Sequence, residues 1–520
     1  MKRTVWVYAL ALMTASIPAL AQVPDPDDTL FITATIPYLG EYASGSAYVY
    51  LGASHPALTN PVLIIEGFDI DNTMGWEYLY EAMNQEGMIE SLITRGFDAV
   101  VLDFTDATDY IQRNSFVAIE LINHMNSVIQ PYASIAVVGA SMGGLVGRYA
   151  LAYMEHNGMA HNVRTFISFD APHKGANIPL GIQYWVKFFS GQSADADALL
   201  QSLMRPAPRQ MLVYYFTDPP ESAASCDTLL TELMADMAAV GDYPALPRKV
   251  AVANGSGYMT GQGFSPGEQI ILYEYSSLLV DIIGNVWAVP DGGGQIIFDG
   301  ALDLIWPFPD DYLQVYVSGT KPYDNAPGGT RGSMAQMDST EAPYGDVIAL
   351  YDDHCFIPAV SALDIDTGDL FYDIAGDPDL LAHTPFDTVY FPVENQVHIT
   401  ITAESAPWFI SELERGLYAS APAGGGAGAA VLLRQNSPNP FAYSTAVRFS
   451  LPEAAHVNLE VYDVAGRCVA TLLDADLAAG GARVVWDGRD SCGRSVAAGI
   501  YFMRLSAMGE TRSIKTLLLR

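Results

Sequence analysis

From Pro61 onward, runs of consecutive apolar residues alternate with longer stretches whose apolar positions recur every three or four residues. The runs PVLIIEG (61–67), FDAVVLDF (97–104), SIAVVGA (134–140), TFISFDAP (165–172) and KVAVAN (249–254) lack a period of two, which predicts strands buried on both faces. Such strands with helical segments between them predict a mostly parallel sheet in an α/β domain. LFITATIP and SAYVYLGA, nearer the N-terminus, read as an antiparallel pair leading into it. The pattern stops at APAGGGAGAA (421–430), which has almost no side chains to pack and reads as a flexible linker. Beyond it, residues 431–520 hold seven or so short strands with turn signals, a small all-β sandwich pattern.

Ahead of the α/β domain (22–420), Lys2 and Arg3 precede the apolar run VWVYALALMTASIPAL and the small-residue site Ala19-Leu20-Ala21. Residues 1–21 therefore read as a secretory signal peptide cut before Gln22. No later segment approaches the roughly 20 uninterrupted apolar residues of a membrane span, so the mature chain is expected to be exported and to carry no transmembrane anchor.

Asp and Glu total 59 against 25 for Lys and Arg, giving a formal charge of −34. That balance excludes an electrostatic grip on nucleic acid or anionic lipid and fits a well-solvated surface. There is no D-x-D-x-D-G calcium loop, and no metal or organic cofactor is expected. Four cysteines, Cys226, Cys355, Cys468 and Cys492, allow three pairings or none.

Candidate chemistry concentrates at VVGASMGGLVGRYAL (137–151), where Ser141 lies between Gly139 and Gly143. SIAVVGA supplies a strand, GASMG a turn and MGGLVGRYALAYMEHNG a helix ending at Gly158, the sequence of elements in a nucleophile elbow. Gly139 and Gly143 remove side chains that would collide at so tight a corner. Ser141 then sits at the positive end of a helix, where the Met142 amide faces a developing oxyanion. A second donor is expected in the loop after PVLIIEG, at the amide of Phe68.

With such an elbow the chain order is serine, acid, histidine. His55 and His124 precede the serine, His156 and His161 lie at the far end of the elbow helix, and His456 lies beyond the linker. His398, on a loop after a strand and before a helix capped at Ser405, is the candidate base, with His354 and His383 as rivals. The acid has to orient the imidazole and steady its charge. Asp346, Asp352, Asp353, Asp364 and Asp387 satisfy the order. Asp353, which ends a polar loop before an apolar run, is preferred, with Asp364 second.

Together PVLIIEGFD, VVGASMGGLVGRYAL and SFDAPHKGANIP resemble the serine esterases and lipases of the α/β-hydrolase superfamily, nearest to bacterial triacylglycerol lipases and relatives of the GPI-inositol deacylases. The resemblance covers roughly residues 60–180 and 340–415. Such lipases read S-P-H-x-G where this chain has Ala171-Pro172-His173-Lys174-Gly175, implying that His173 is a structural residue beside the site. Their acid lies in a D-G-x-V-P phrase, whereas Asp353-His354-Cys355-Phe356-Ile357-Pro358 puts His354 on that column. The aromatic-rich insertion at about 177–247 stands where a lid covers an acyl chain, with a permanently packed cap as the alternative. A β-rich excursion at about 255–340 has no role assigned by the sequence.

In the last segment, Q-N-x-P-N-P-F, V-Y-D-V-A-G-R, W-D-G-R-D and A-G-I-Y-F resemble the C-terminal type IX secretion sorting domains and the Ig-like domain of flagellar hook-cap proteins. That resemblance implies an Ig-like sandwich serving as an address, with the type IX machinery as partner and the cell surface or medium as destination. A spacer module is the alternative. The expected function is a secreted serine hydrolase acting on carboxyl esters, of lipid type, through Ser141, His398 and Asp353. A non-catalytic surface binder on a hydrolase shell, or an acyltransferase or thioesterase, is the competing expectation.

Overall fold

The computed structural model describes residues 23–519, apart from 54, 70–74, 130–133, 305–309, 340–343, 419–430 and scattered positions between 434 and 493. The signal peptide, the linker and Cys492 lie outside the described residues. Residues through Pro407 and those from Trp408 onward belong to two compact units.

The first unit is built on an eight-stranded sheet of β1 (Asp28–Thr33), β2 (Ser44–Tyr50), β3 (Pro61–Ile65), β4 (Asp98–Phe104), β5 (Ile135–Ala140), β6 (Val163–Phe169), β7 (Arg248–Val252) and β8 (Thr388–Tyr390). Its order is β1-β2-β4-β3-β5-β6-β7-β8, antiparallel at β1–β2 and β2–β4 and parallel from β4 onward. All five apolar runs therefore form strands in the parallel part, and the early pair closes one edge. Every residue of β3 and β5 is buried. That is the pattern a sheet covered by helices on both faces requires. α1 (Trp76–Met83), α2 (Met88–Thr94), α3 (Ile111–Val128) and α4 (Met142–His156) follow β3, β4 and β5. This is the α/β-hydrolase fold that the sequence implied.

The insertion supplies α5 (Leu180–Phe189), α6 (Ala194–Leu203), α7 (Pro206–Met211) and α8 (Thr228–Ala239). Nearly every residue of α5 is buried. The excursion supplies what α5 rests on, an antiparallel sheet with strands Asp311–Ser318, Gly294–Leu304, Val280–Trp287, Gln269–Leu272 and Ile348–Ala349 in that order. The approach is so close that a Cβ on Gly181 would lie 2.4 Å from the carbonyl oxygen of Ile297. The insertion is thus packed as a cap on its own platform. A two-stranded ribbon, Gly328–Arg331 with His354–Pro358, leaves this region toward the ends of the parallel strands.

The second unit holds two antiparallel sheets. One has Leu432–Leu433, Thr445–Leu451 and Gly480–Trp486; the other has Cys468–Leu477, Ala455–Asp463, Gly499–Ala507 and Glu510–Leu518. Val447, Phe449, Val457, Leu459, Trp486 and Met503 share one core between them. These seven strands are the expected Ig-like sandwich. Among the described residues, Cys226, Cys355 and Cys468 form no disulfide.

Candidate active site

Ser141 leaves β5 with φ 53° and ψ −125° and begins α4 at once. Left-handed φ is costly for a residue with a Cβ and is held by its surroundings at functional turns. Here the holding is visible: a Cβ on Gly139 would come within 2.2 Å of the Gly143 carbonyl oxygen, and one on Gly143 within 2.4 Å of the Ile65 carbonyl oxygen. The Ser141 amide donates to the Phe169 carbonyl at 2.8 Å, tying the corner to β6.

His398 reaches the serine from the loop after β8. Its backbone N–H donates to the Thr330 carbonyl at 3.0 Å. Its ring meets the Phe356 ring edge-on at 4.9 Å. Nε2 lies 2.8 Å from Ser141 Oγ. Nδ1 lies 2.6 Å from Oδ2 of Asp170.

Asp170 is the first residue after β6, at φ 46°, and is wholly buried. Its amide donates to the Val252 carbonyl at 2.6 Å, and its Oδ1 accepts from the Asn254 amide at 3.0 Å. Because an ionised carboxylate only accepts, Nδ1 must carry the imidazole proton, which leaves Nε2 bare to accept from Ser141 Oγ–H.

The carboxylate on His398 is therefore Asp170, and neither Asp353 nor Asp364 occupies that place. Asp353 lines the cavity in front of Ser141, where burial, and after it the charge of Asp352, pushes its carboxyl up. Asp364 sits in another network, accepting from Tyr243 Oη at 2.5 Å and pairing with Lys174 Nζ at 3.6 Å and Arg148 at 3.8 Å. His354 is buried against Ser333 and the Cys355 carbonyl, and His383 pairs with Asp377 on the surface. His173 bonds Ser168 Oγ at 2.7 Å beside Arg148, buried and well below its ordinary pKa because of that burial. The signal for Asp170 was present in SFDAP: an acid ending the strand beside the elbow strand, between Ser141 and His398 in chain order. The sequence reading sought the acid only after the insertion.

Of the two expected oxyanion donors, Met142 opens α4, so its amide has no intrahelical acceptor. Neither it nor the Phe68 amide has an acceptor among the described residues. A Cβ on Gly67 would sit 3.1 Å from Ser141 Cβ, which places the Phe68 peptide against Ser141. Ser141 and His398 open into a cavity of about 300 Å³, also lined by Phe68, Tyr78, Arg331 and Phe356. Phe68, Arg331 and Phe356 are shared with an apolar pocket of about 60 Å³ lined by Ile182, Val186, Leu203 and Met211 of the insertion helices. No three histidine, cysteine or acidic side chains gather as a metal site among the described residues.

A PGAP1-like alpha/beta domain matches residues 103–202 and a FlgD Ig-like domain matches residues 441–510. No curated protein matches the sequence. Among solved structures, Est1E from Butyrivibrio proteoclasticus is 18% identical over 28% of this chain and 50% of its own, TM-score 0.21. This chain thus spans about half the length of that structure. The Pyrobaculum calidifontis esterase is 14% identical over 44% of this chain and 67% of its own, TM-score 0.26. FlgD from P. aeruginosa is 30% identical over 14% of this chain and 59% of its own, TM-score 0.13. No helix among the described residues is long and apolar enough to cross a membrane. The chain carries an α/β-hydrolase fold with a PGAP1-like segment, followed along the sequence by a FlgD Ig-like domain.

Proposed function

We propose that the protein is an exported serine hydrolase that cleaves carboxyl esters through an acyl-enzyme on Ser141. The observation that carries this reading is the continuous chain Ser141 Oγ, His398 and Asp170, at 2.8 and 2.6 Å, beside two amides with no acceptor among the described residues. His398 takes the serine proton as Oγ attacks the ester carbonyl, and the Met142 and Phe68 amides receive the oxyanion. His398 then protonates the leaving alcohol, Asp170 steadies the imidazolium, and water repeats the cycle on the acyl-enzyme.

The apolar pocket beside Phe68 and Phe356 is the natural place for the acyl chain. Its volume, about 60 Å³, is small beside the roughly 300 Å³ of the cavity that shares its lining. That supports a short acyl chain. A non-catalytic binder keeps no need for a buried carboxylate on His398, so Asp170 favours the enzyme. Transfer to an acceptor other than water would use the same acyl-enzyme.

The test is release of p-nitrophenol from butyrate and palmitate esters by the mature protein beside Ser141→Ala. Butyrate turnover that exceeds palmitate and vanishes in the variant supports the reading; a folded protein inert toward both overturns it. The sorting motifs quoted above support an address role for residues 431–520. In the native host, deletion of that segment should leave the enzyme inside the cell envelope, and unchanged release into the medium would reject the role.

A further inference from the structure

Arg331 ends one strand of the ribbon that reaches over the catalytic cavity. Its guanidinium carbon lies 4.9 Å from the centre of the Phe356 ring, whose other neighbour is His398. The side chain lines both the catalytic cavity and the apolar pocket, so it stands where the two meet. No carboxylate pairs with it among the described residues, in a chain where acids outnumber bases by more than two to one.

The acids that share its cavity, Glu66 and Asp353, make no ion pair with it. Glu66 accepts from the Phe104 amide at 2.6 Å, and burial, reinforced by Asp103, pushes its carboxyl well above the ordinary range. Asp353 is likewise raised by burial. His354, close enough to feel the guanidinium, is held neutral mainly by its own burial. Burial lowers the Arg331 pKa from its usual value, but a guanidinium stays charged in any protein. Arg331 is half-buried and pairs with no carboxylate among the described residues, and its partial loss of water strengthens its hold on an anion that enters the cavity.

We infer that Arg331 determines specificity by binding a carboxylate or phosphate oxygen carried by the ester substrate close to its scissile bond. The inference rests on the ester-hydrolase reading above. The acidic surface does not oppose it, because exposed charges are screened beyond about 8–10 Å at ordinary ionic strength, whereas Arg331 acts by contact inside the cavity.

The experiment compares esters that differ only by a carboxylate in place of a methyl group. Monoethyl glutarate against ethyl pentanoate places it on the acyl side; O-butyryl lactate against isopropyl butyrate places it on the alcohol side. Wild type should favour at least one anionic ester by about tenfold or more in kcat/KM, chiefly through KM. Arg331→Met should erase that preference while hydrolysing the neutral esters within a few-fold of wild type, and Arg331→Lys should restore part of it. Wild-type preference for the neutral member of both pairs overturns the inference. So does an equal fall on neutral and anionic esters in Arg331→Met with an unchanged melting temperature, which would mark a residue that merely props Phe356. If wild type hydrolyses none of the four esters, the ester-hydrolase reading itself fails, and this inference with it.

Discussion

Replacing Asp170 by Asn tests the assembly of the site most directly, because the surroundings dictate which way the new amide must face. Asp170 Oδ1 accepts from the Asn254 backbone amide at 3.0 Å, so the Asn carbonyl oxygen has to keep that position. The NH2 group is then turned toward His398 Nδ1, where the carboxylate stood at 2.6 Å. A donor there forces Nδ1 to accept and moves the imidazole proton to Nε2, which can no longer take the proton of Ser141. The expected loss is about 10³ to 10⁴ in kcat, about 4–5.5 kcal/mol of transition-state stabilisation, with KM little changed. Packing is conserved, so the melting temperature should move little. Steady-state kinetics on p-nitrophenyl butyrate measures the loss, with Asp353→Asn and Asp364→Asn beside it, each expected to retain kcat within about tenfold. Activity of Asp170→Asn near wild type, with collapse in either control, would refute the assignment.

Three further outcomes follow from the same geometry. Gly67→Ala puts a methyl 3.1 Å from Ser141 Cβ and 3.3 Å from the Ala140 carbonyl oxygen; a displaced nucleophile or oxyanion peptide should lower kcat on the order of 10²-fold, read by single-turnover acylation. Val186→Phe should fill the apolar pocket, leaving acetate esters hydrolysed while kcat/KM for butyrate falls about tenfold or more, so the ratio of the two esters reports the change. Burial lowers His354 from the ordinary 6.5 to about 4, so the unfolded chain binds the extra proton first and stability is lost as pH falls from 6.5 toward 4. The loss is about 3 kcal/mol, and thermal melts across that range should show it in wild type relative to His354→Asn.

Most of the sheet was legible because five of its six parallel strands are built around apolar runs, and the elbow was legible because glycines bracket Ser141 where its corner touches two other strands. His398 followed from order and flanking elements. Asp170 did not, because nothing in a single acid after a strand tells which neighbouring strand the histidine loop will cross. The excursion was opaque for a related reason: its strands pair with one another and its value lies in distant contacts, under α5 through Gly181 and over the cavity through Thr330 and Arg331. Those contacts leave no local periodicity.

The position of Asp170 at the end of β6 has a consequence for how such an enzyme can change. Nucleophile and acid come from adjacent strands, only 29 positions apart in the chain, and both belong to the most buried part of the sheet. The long stretch between β7 and β8 is released from supplying a member of the triad and instead furnishes walls of the substrate chamber. On the proposed reading, much of the chamber wall comes from the ribbon and the insertion helices, while serine, histidine and acid come from loops at the ends of the sheet strands. If the proposed function holds, substitutions in the ribbon and insertion helices should alter substrate choice while Ser141, His398 and Asp170 stay in place.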